Sequence, residues 1–304
     1  MMNYDIILVR YGELSLKSTY VRKYFESTLV RNIKKALAQE NILHNITKER
    51  GRIYLSTTEI SNSCLVLSRI FGIVSFSPAV QTTSDMGDMS IVALQLAKNI
   101  LTKEKSFAIR STRVGIHTFS SQQVAIQIGN DIVKTTHAKV DLTHPDIELF
   151  IEIRDKKSFL FTEKIKGVGG LPLGTQGKIL VLVENPFSLL AAWYLMHRGC
   201  NAIIANTNKK NDESLYSFLH NWYVDAEIIS IDRKTKNFFH QLRTLASENN
   251  CDALVTGHTF EDSPCSLEAI VHLKKQSNIP VFTPLITMTP EELQQQCKKR
   301  GIPI

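Results

Sequence analysis

Residues 167–178 read GVGGLPLGTQGK, five glycines and one proline in twelve positions. Glycine adopts positive φ freely and proline has no amide to donate, so such a run extends neither a helix nor a strand. It is the strongest linker or domain boundary in the chain. The apolar rhythm differs on its two sides. Downstream, KILVLV (178–183), NAIIAN (201–206), AEIISID (226–232), CDALVTG (251–257) and PVFTPLI (280–286) are short apolar runs alternating with helix-like segments. Strands of this kind are buried on both faces and predict a parallel α/β sheet. Such sheets bind ligands at the carboxyl ends of their strands.

Upstream, the chain opens with the apolar run YDIILV (4–9). Residues 19–39 then place Val21, Phe25, Leu29, Ile33 and Leu37 four apart, one core-facing helical stripe flanked by Arg22, Lys23, Arg31, Lys34 and Lys35. Two strands, ILHNIT (42–47) and RIYLST (52–57), are joined through Arg50-Gly51. A helix over 61–71 and the strand IVSFSPAV (73–80) complete a β-α-β-β-α-β order, the ferredoxin-like split unit. A helix over 87–102, the strand FAIRST (107–112) and a helix over 120–136 capped by Ser120 or Ser121 follow. The strands ELFIEI (148–153) and SFLFTEKI (158–165) are parted by the charged turn Asp155-Lys156-Lys157. The fold class is α+β followed by α/β.

The 304 residues suit two or three domains, and with 43% apolar and 21% charged residues the chain is globular rather than fibrous or disordered. No run reaches the length of a membrane span, and the N-terminus MMNYDIILVRYGE has no signal-peptide pattern, so a cytoplasmic protein without membrane attachment is expected. The five cysteines are scattered and never in C-x-x-C, which argues against a disulfide framework and a zinc ribbon. Charge is unevenly spread. Residues 1–172 hold 23 Lys+Arg against 16 Asp+Glu, whereas residues 173–304 hold 13 of each. Within residues 10–52, ten basic residues face four acidic ones. A basic first part beside a neutral second part points to a polyanionic partner for the first.

Six motifs in one order, RYGELSLKS (10–18), GRIYL (51–55), FGIVSFSPA (71–79), KVDLTHPDIELFIEIR (139–154), GVGGLPLGTQGK (167–178) and LMHRGC (195–200), resemble those of the tRNA 4-thiouridine synthetase family. These are tRNA sulfurtransferases also associated with the thiazole of thiamine. The resemblance runs from Val9 to Gly199 and weakens beyond. It implies a ferredoxin-like domain (1–76), a THUMP RNA-binding domain (77–172) and a PP-loop-ATP-pyrophosphatase-like, Rossmann-like domain (173–304). The first two would grip tRNA. The third would adenylate uridine at position 8, with a cysteine persulfide as sulfur donor. Arg10, Tyr11, Gly12, Glu13 and Lys17 match the opening motif, Gly51-Arg52 the hairpin, and Arg110 with Arg113 a basic pair on or just beyond the FAIRST strand. Arg10, Lys17, Arg22, Lys23, Arg52, Arg110 and Arg113 are the expected phosphate ligands, since charge-assisted contacts supply most RNA affinity. Glu13 and Asp141 are expected to orient backbone or basic neighbours.

The catalytic pattern departs from the family. A PP-loop needs a small glycine-rich turn whose amides surround pyrophosphate. The family's Ser-Gly-Gly-Ile-Asp-Ser is here Glu184-Asn185-Pro186-Phe187-Ser188, one residue shorter and without glycine. Pro186 removes a donor, Phe187 brings a ring to the phosphate position and Glu184 a carboxylate. The same residues suit a plain helix start, with Asn185 as N-cap and Pro186 at the first turn. Ser188 keeps register, and Gly257 ends a second turn like the family's, but His258 follows where the family has an acid. The family's Arg-Pro-Leu is Thr283-Pro284-Leu285, and the cysteine expected a dozen residues before ALVTG is missing. Cys200 and Cys251 read as packing groups, Cys265 as the more reactive thiol, and His258, Glu261 and Asp262 as surface or capping groups rather than a metal site. No rhodanese-like extension is expected to carry a persulfide.

The leading expectation is a tRNA-binding protein of this family with its catalytic loop lost, no cofactor and no metal. The alternative is an active ATP-dependent tRNA sulfurtransferase making 4-thiouridine, using ATP with Mg. The sequence leaves open a homodimer and a catalytic or sulfur-carrier partner protein.

Overall fold

The computed structural model describes residues 4–12, 18–49, 51–207, 212–260 and 266–303. The chain divides into two compact units: Met1–Tyr11 with Leu37–Ser68 and Val74–Gly167, and Gly12–Ala36 with Arg69–Ile73 and Val168–Ile304.

The first unit holds one sheet. Along the chain the opening elements are β1 (Ile6–Tyr11), α1 (Thr19–Gln39, most of it grouped with the second unit), β2 (Asn45–Glu49), β3 (Arg52–Ser56), α2 (Ile60–Leu67) and β4 (Ile73–Thr83), the ferredoxin-like order. After them come α3 (Met86–Ile100), β5 (Ser106–Val114), α4 (Ser121–Thr136), β6 (Lys139–Val140), β7 (Ile147–Arg154), β8 (Lys157–Phe161) and β9 (Ile165–Lys166). The strand order is β2-β3-β1-β4-β8-β7-β5-β6, with β9 also on β4. The 11-residue β4 joins the two halves: Ser75 and Phe76 pair with β9, and Val80 to Thr83 with β8. Alternation along β7 buries Leu149, Ile151 and Ile153 with Met89, Ala93, Val124, Ile128 and Ile132 of α3 and α4. The opposite face carries Phe150 and Glu152. Ser120 forms a full capping box with Gln123, which fixes the start of α4.

The second unit contains β10 (Lys178–Val183), α5 (Ser188–His197), β11 (Asn201–Asn206), α6 (Asp212–Asn221), β12 (Ile228–Ser230), α7 (Phe238–Glu248), β13 (Ala253–Thr256), α8 (Ser266–Gln276), β14 (Val281–Phe282) and α9 (Pro290–Arg300). Its five strands are parallel in the order β12-β11-β10-β13-β14. Ile179, Val181 and Val183 pack with α5, and Leu180 and Leu182 face Phe238 and Leu242 of α7, so β10 is buried on both sides. Each such side chain contributes about 1.5–3 kcal/mol of transfer free energy.

The glycine-rich segment starts at the break between the units, after Gly167, and its remainder packs within the second unit. A Cβ on Gly170, at φ +77, would lie 2.2 Å from the His197 carbonyl oxygen. Leu171 N–H donates to His197 O, and Tyr24 and Asn32 of α1 donate to the carbonyls of Gly174 and Leu173. Most of α1 therefore clusters with residues 168–304, which the expected division at 172/173 does not reflect. Two predicted elements are shorter than their apolar runs. Helix α2 stops at Leu67, ahead of Gly72 at φ +99, whose amide donates to Gly169 O. Strand β14 holds only Val281 and Phe282, because Pro284 has no amide for the ladder. No helix among the described residues is long and apolar enough to cross a membrane.

Candidate functional site

In the second unit the sheet order reverses between β10 and β13, and the carboxyl ends of these strands frame the crevice where a parallel sheet takes its ligand. Glu184 leaves β10 and Gly257 leaves β13 at this point. The turn between β10 and α5 is closed on itself. Asn185 Oδ1 accepts Ser188 N–H at 3.0 Å and Ser188 Oγ–H at 3.1 Å, while the Asn185 carbonyl takes the same amide at 3.1 Å. The amides of Glu184 and Asn185 donate to Ser188 Oγ at 3.3 and 3.4 Å. Gly257 lies against this turn: a Cβ there would be 2.5 Å from Ser188 N and 2.8 Å from Asn185 Oδ1. The two residues carried over from the family, Ser188 and Gly257, are thus brought together, but packed against each other.

One local expectation is corrected. The regular helix begins at Ser188, with Pro186 and Phe187 in the preceding turn rather than in its first turn, although Asn185 caps the Ser188 amide. Phe187 is partly buried and packs against the apolar core of this unit. The Glu184 carboxylate meets Arg233 Nε at 2.7 Å and His258 Nε2 at 3.8 Å. His258 Nδ1 is 2.5 Å from the buried Thr256 hydroxyl. The Ser188 amide and the Arg233 guanidinium are thus both engaged by groups of the chain itself.

Reactive sulfur is also not in place among the described residues. Burial pushes the thiols of Cys200, Cys251 and Cys297 above their ordinary value, and that of Cys64 up to about 11. A thiol rather than a thiolate is a poor nucleophile. Cys265, Glu261 and Asp262 lie outside the described residues. No group of three or more potential metal ligands occurs among the described residues.

The basic residues of the first unit fall into two kinds. Glu152, on β7, is 6% exposed and is clasped by Arg52 Nε at 2.7 Å, Arg154 Nε at 2.8 Å and Arg10 Nη2 at 3.4 Å. Burial opposes its ionisation, but the three guanidinium groups prevail and hold its carboxyl below the ordinary range. Arg10 also donates to Ser77 Oγ at 2.9 Å and lies 4.9 Å from the centroid of the Phe161 ring. Arg10 and Arg52, expected as surface phosphate ligands, are therefore tied to an internal carboxylate. Sequence reading gave Glu152 and Arg154 no role, although their i, i+2 spacing on a strand places them on one face.

Arg110 and Arg113, on β5, differ. Arg110 pairs with Glu148 at 2.6 Å on a half-exposed surface. Arg113 is exposed, and Nη1 reaches the His117 carbonyl at 3.4 Å. On α1, Lys23 is exposed and Arg22 Nε is 4.0 Å from Glu26. Lys17 and Glu13 lie outside the described residues. Asp141 orients backbone as expected, accepting the amides of Thr143 and His144 at 2.9 Å each.

Comparison with known proteins agrees with this architecture. Residues 6–77 match the ThiI ferredoxin-like domain and residues 83–163 the THUMP domain. A probable tRNA sulfurtransferase of Methanothermobacter thermautotrophicus is 32% identical over 99% of this chain and 86% of its own length. One from Methanobrevibacter smithii is 42% identical over 208 residues, 66% of this chain and 53% of that relative, about half its length. Among solved structures, PH1313 from Pyrococcus horikoshii superposes with a TM-score of 0.85 at 28% identity, covering 98% of this chain and 99% of that one. A 4-thiouridine synthetase–RNA complex with bound ATP superposes with a TM-score of 0.84 at 22% identity, covering 99% and 86%, and shares the fold. The matches define a protein in which a ferredoxin-like domain and a THUMP domain precede a parallel α/β domain. The chain belongs to the tRNA sulfurtransferase family.

Proposed function

We propose that the protein is a tRNA-binding member of this family that holds tRNA through residues 1–172 and does not carry out ATP-dependent sulfur transfer at its own crevice. One observation carries the second half of this reading: Asn185 takes the Ser188 amide, Gly257 closes over it and Pro186 has no amide to give, so the turn lacks the glycine-built nest that pyrophosphate needs. The missing cysteine before ALVTG and the protonated, buried thiols support it. The first half is supported by the THUMP match and by the placement of all the excess positive charge before residue 173. Arg110, Arg113, Arg22 and Lys23 are assigned as phosphate ligands. The domain limits proposed are 1–76, 77–172 and 173–304, and the compartment is the cytoplasm.

The second reading, an active sulfurtransferase using ATP with Mg, is favoured by the name of a relative aligned over nearly the whole chain. A direct assay separates the two. Incubation of the full chain with tRNA, ATP, Mg and a persulfide donor should leave tRNA bound and unthiolated. Formation of 4-thiouridine would overturn the proposal.

A further inference from the structure

Glu184 sits in an arrangement that the loss of a phosphate loop does not by itself require. One carboxylate oxygen, Oε1, is held by Arg233 Nε at 2.7 Å. The other, Oε2, is sealed from solvent without a hydrogen-bond partner, and His258 Nε2 lies 3.8 Å away. Arg233 is itself positioned, 4.4 Å over the Phe238 ring and 5.6 Å from that of Phe239. His258 is fixed from behind by Thr256. A tautomer with the proton on Nε2 lets the Thr256 hydroxyl donate to Nδ1 and aims a ring N–H at the carboxylate. Arginine and histidine converge from two separate loops, one after β12 and one after β13, on one anion at the switch point of the sheet. That is the chemistry of an oxyanion site, and the oxyanion is a side chain of the chain itself.

We propose that Arg233 and His258 form a phosphate-type anion site at this crevice, and that the Glu184 carboxylate occupies it as a built-in competitor. The inference rests on the reading that the native crevice takes no ATP, and adds that charge, not only the lost glycines, keeps it closed. Like charges cannot share so small a space, so a phosphate oxygen enters only when the carboxylate leaves.

Calorimetric titration of inorganic pyrophosphate into the full chain at low salt tests this. The native protein should give no saturable heat. Glu184→Ala should bind, with an affinity at least about tenfold above the native limit, because the Arg233 guanidinium and the His258 ring N–H then face an empty site. Glu184→Gln, of equal size, should gain less and guards against misfolding of the alanine variant. Adding Arg233→Ala to Glu184→Ala should abolish the gain. Folded Glu184→Ala and Glu184→Gln variants that bind no better than native would overturn the inference alone. So would a double variant that binds as well as the single. Tight binding of ATP by the native protein would instead overturn the underlying reading of the crevice.

Discussion

A Cβ placed on Gly257 would come within 2.5 Å of the Ser188 amide nitrogen and 2.7 Å of its Cα. Two turns leaving neighbouring parallel strands touch through their backbones, and no flexible side-chain end is available to move aside. Gly257→Ala should therefore destabilise the protein by about 1–3 kcal/mol, the range for overpacking a tight site. Urea denaturation followed by circular dichroism measures it. A change below a few tenths of a kcal/mol would mean that the turns are not packed as described.

Glu152 should behave as a structural anion. Its carboxyl is held below the ordinary range, so it contributes stability above that range and loses the contribution as pH falls through the folded value. Glu152→Gln leaves three guanidinium groups facing a neutral amide and should cost about 3 kcal/mol at pH 7. The gap between native and variant should narrow on acidification below about pH 4.5, the ordinary glutamate value. A constant gap down to pH 2 would contradict the assignment.

The two kinds of arginine should separate in RNA binding. Replacing Arg110 and Arg113 with alanine should lower tRNA affinity and make the log–log salt slope shallower, by roughly 0.7–0.9 for each phosphate left without its cation. Replacing Lys274 and Lys275, at the end of α8, should do neither. Arg10→Ala should lower the melting temperature yet leave the slope unchanged, because its guanidinium serves Glu152. Filter binding across a salt series reads all three slopes. An unchanged slope for the Arg110/Arg113 variant would remove them from the interface.

Writing Ser-Gly-Gly-Ile-Asp-Ser in place of residues 184–188 should restore some ATP affinity, since it supplies free amides and removes the Glu184 carboxylate and Pro186. It should not restore thiolation, because the cysteine before ALVTG remains absent. Thiolation by such a variant would show that the sulfur path does not need that cysteine.

Much of the fold was legible because its signals are local. The four-residue spacing of α1, the Ser120 capping box and the doubly apolar β10 each fix an element from a short window. The site was legible where chemistry depends on backbone, as with the missing glycines at 184–188. What the sequence hid is long-range. Arg10 and Arg52 meet Glu152 across separations of 142 and 100 residues, and nothing in their own windows sets them apart from surface cations. Arg233 is hidden for the same reason: its partner Glu184 lies on another loop, brought near by parallel strand order.

The central claim, that this family member keeps its RNA partner without the nucleotide chemistry, is tested most directly by titrating ATP with Mg into the full chain saturated with tRNA. The account predicts heat for the tRNA step and no saturable heat for the ATP step into the millimolar range. A one-to-one ATP isotherm with a Kd of about 1–100 μM, near −8.2 to −5.5 kcal/mol, would contradict it.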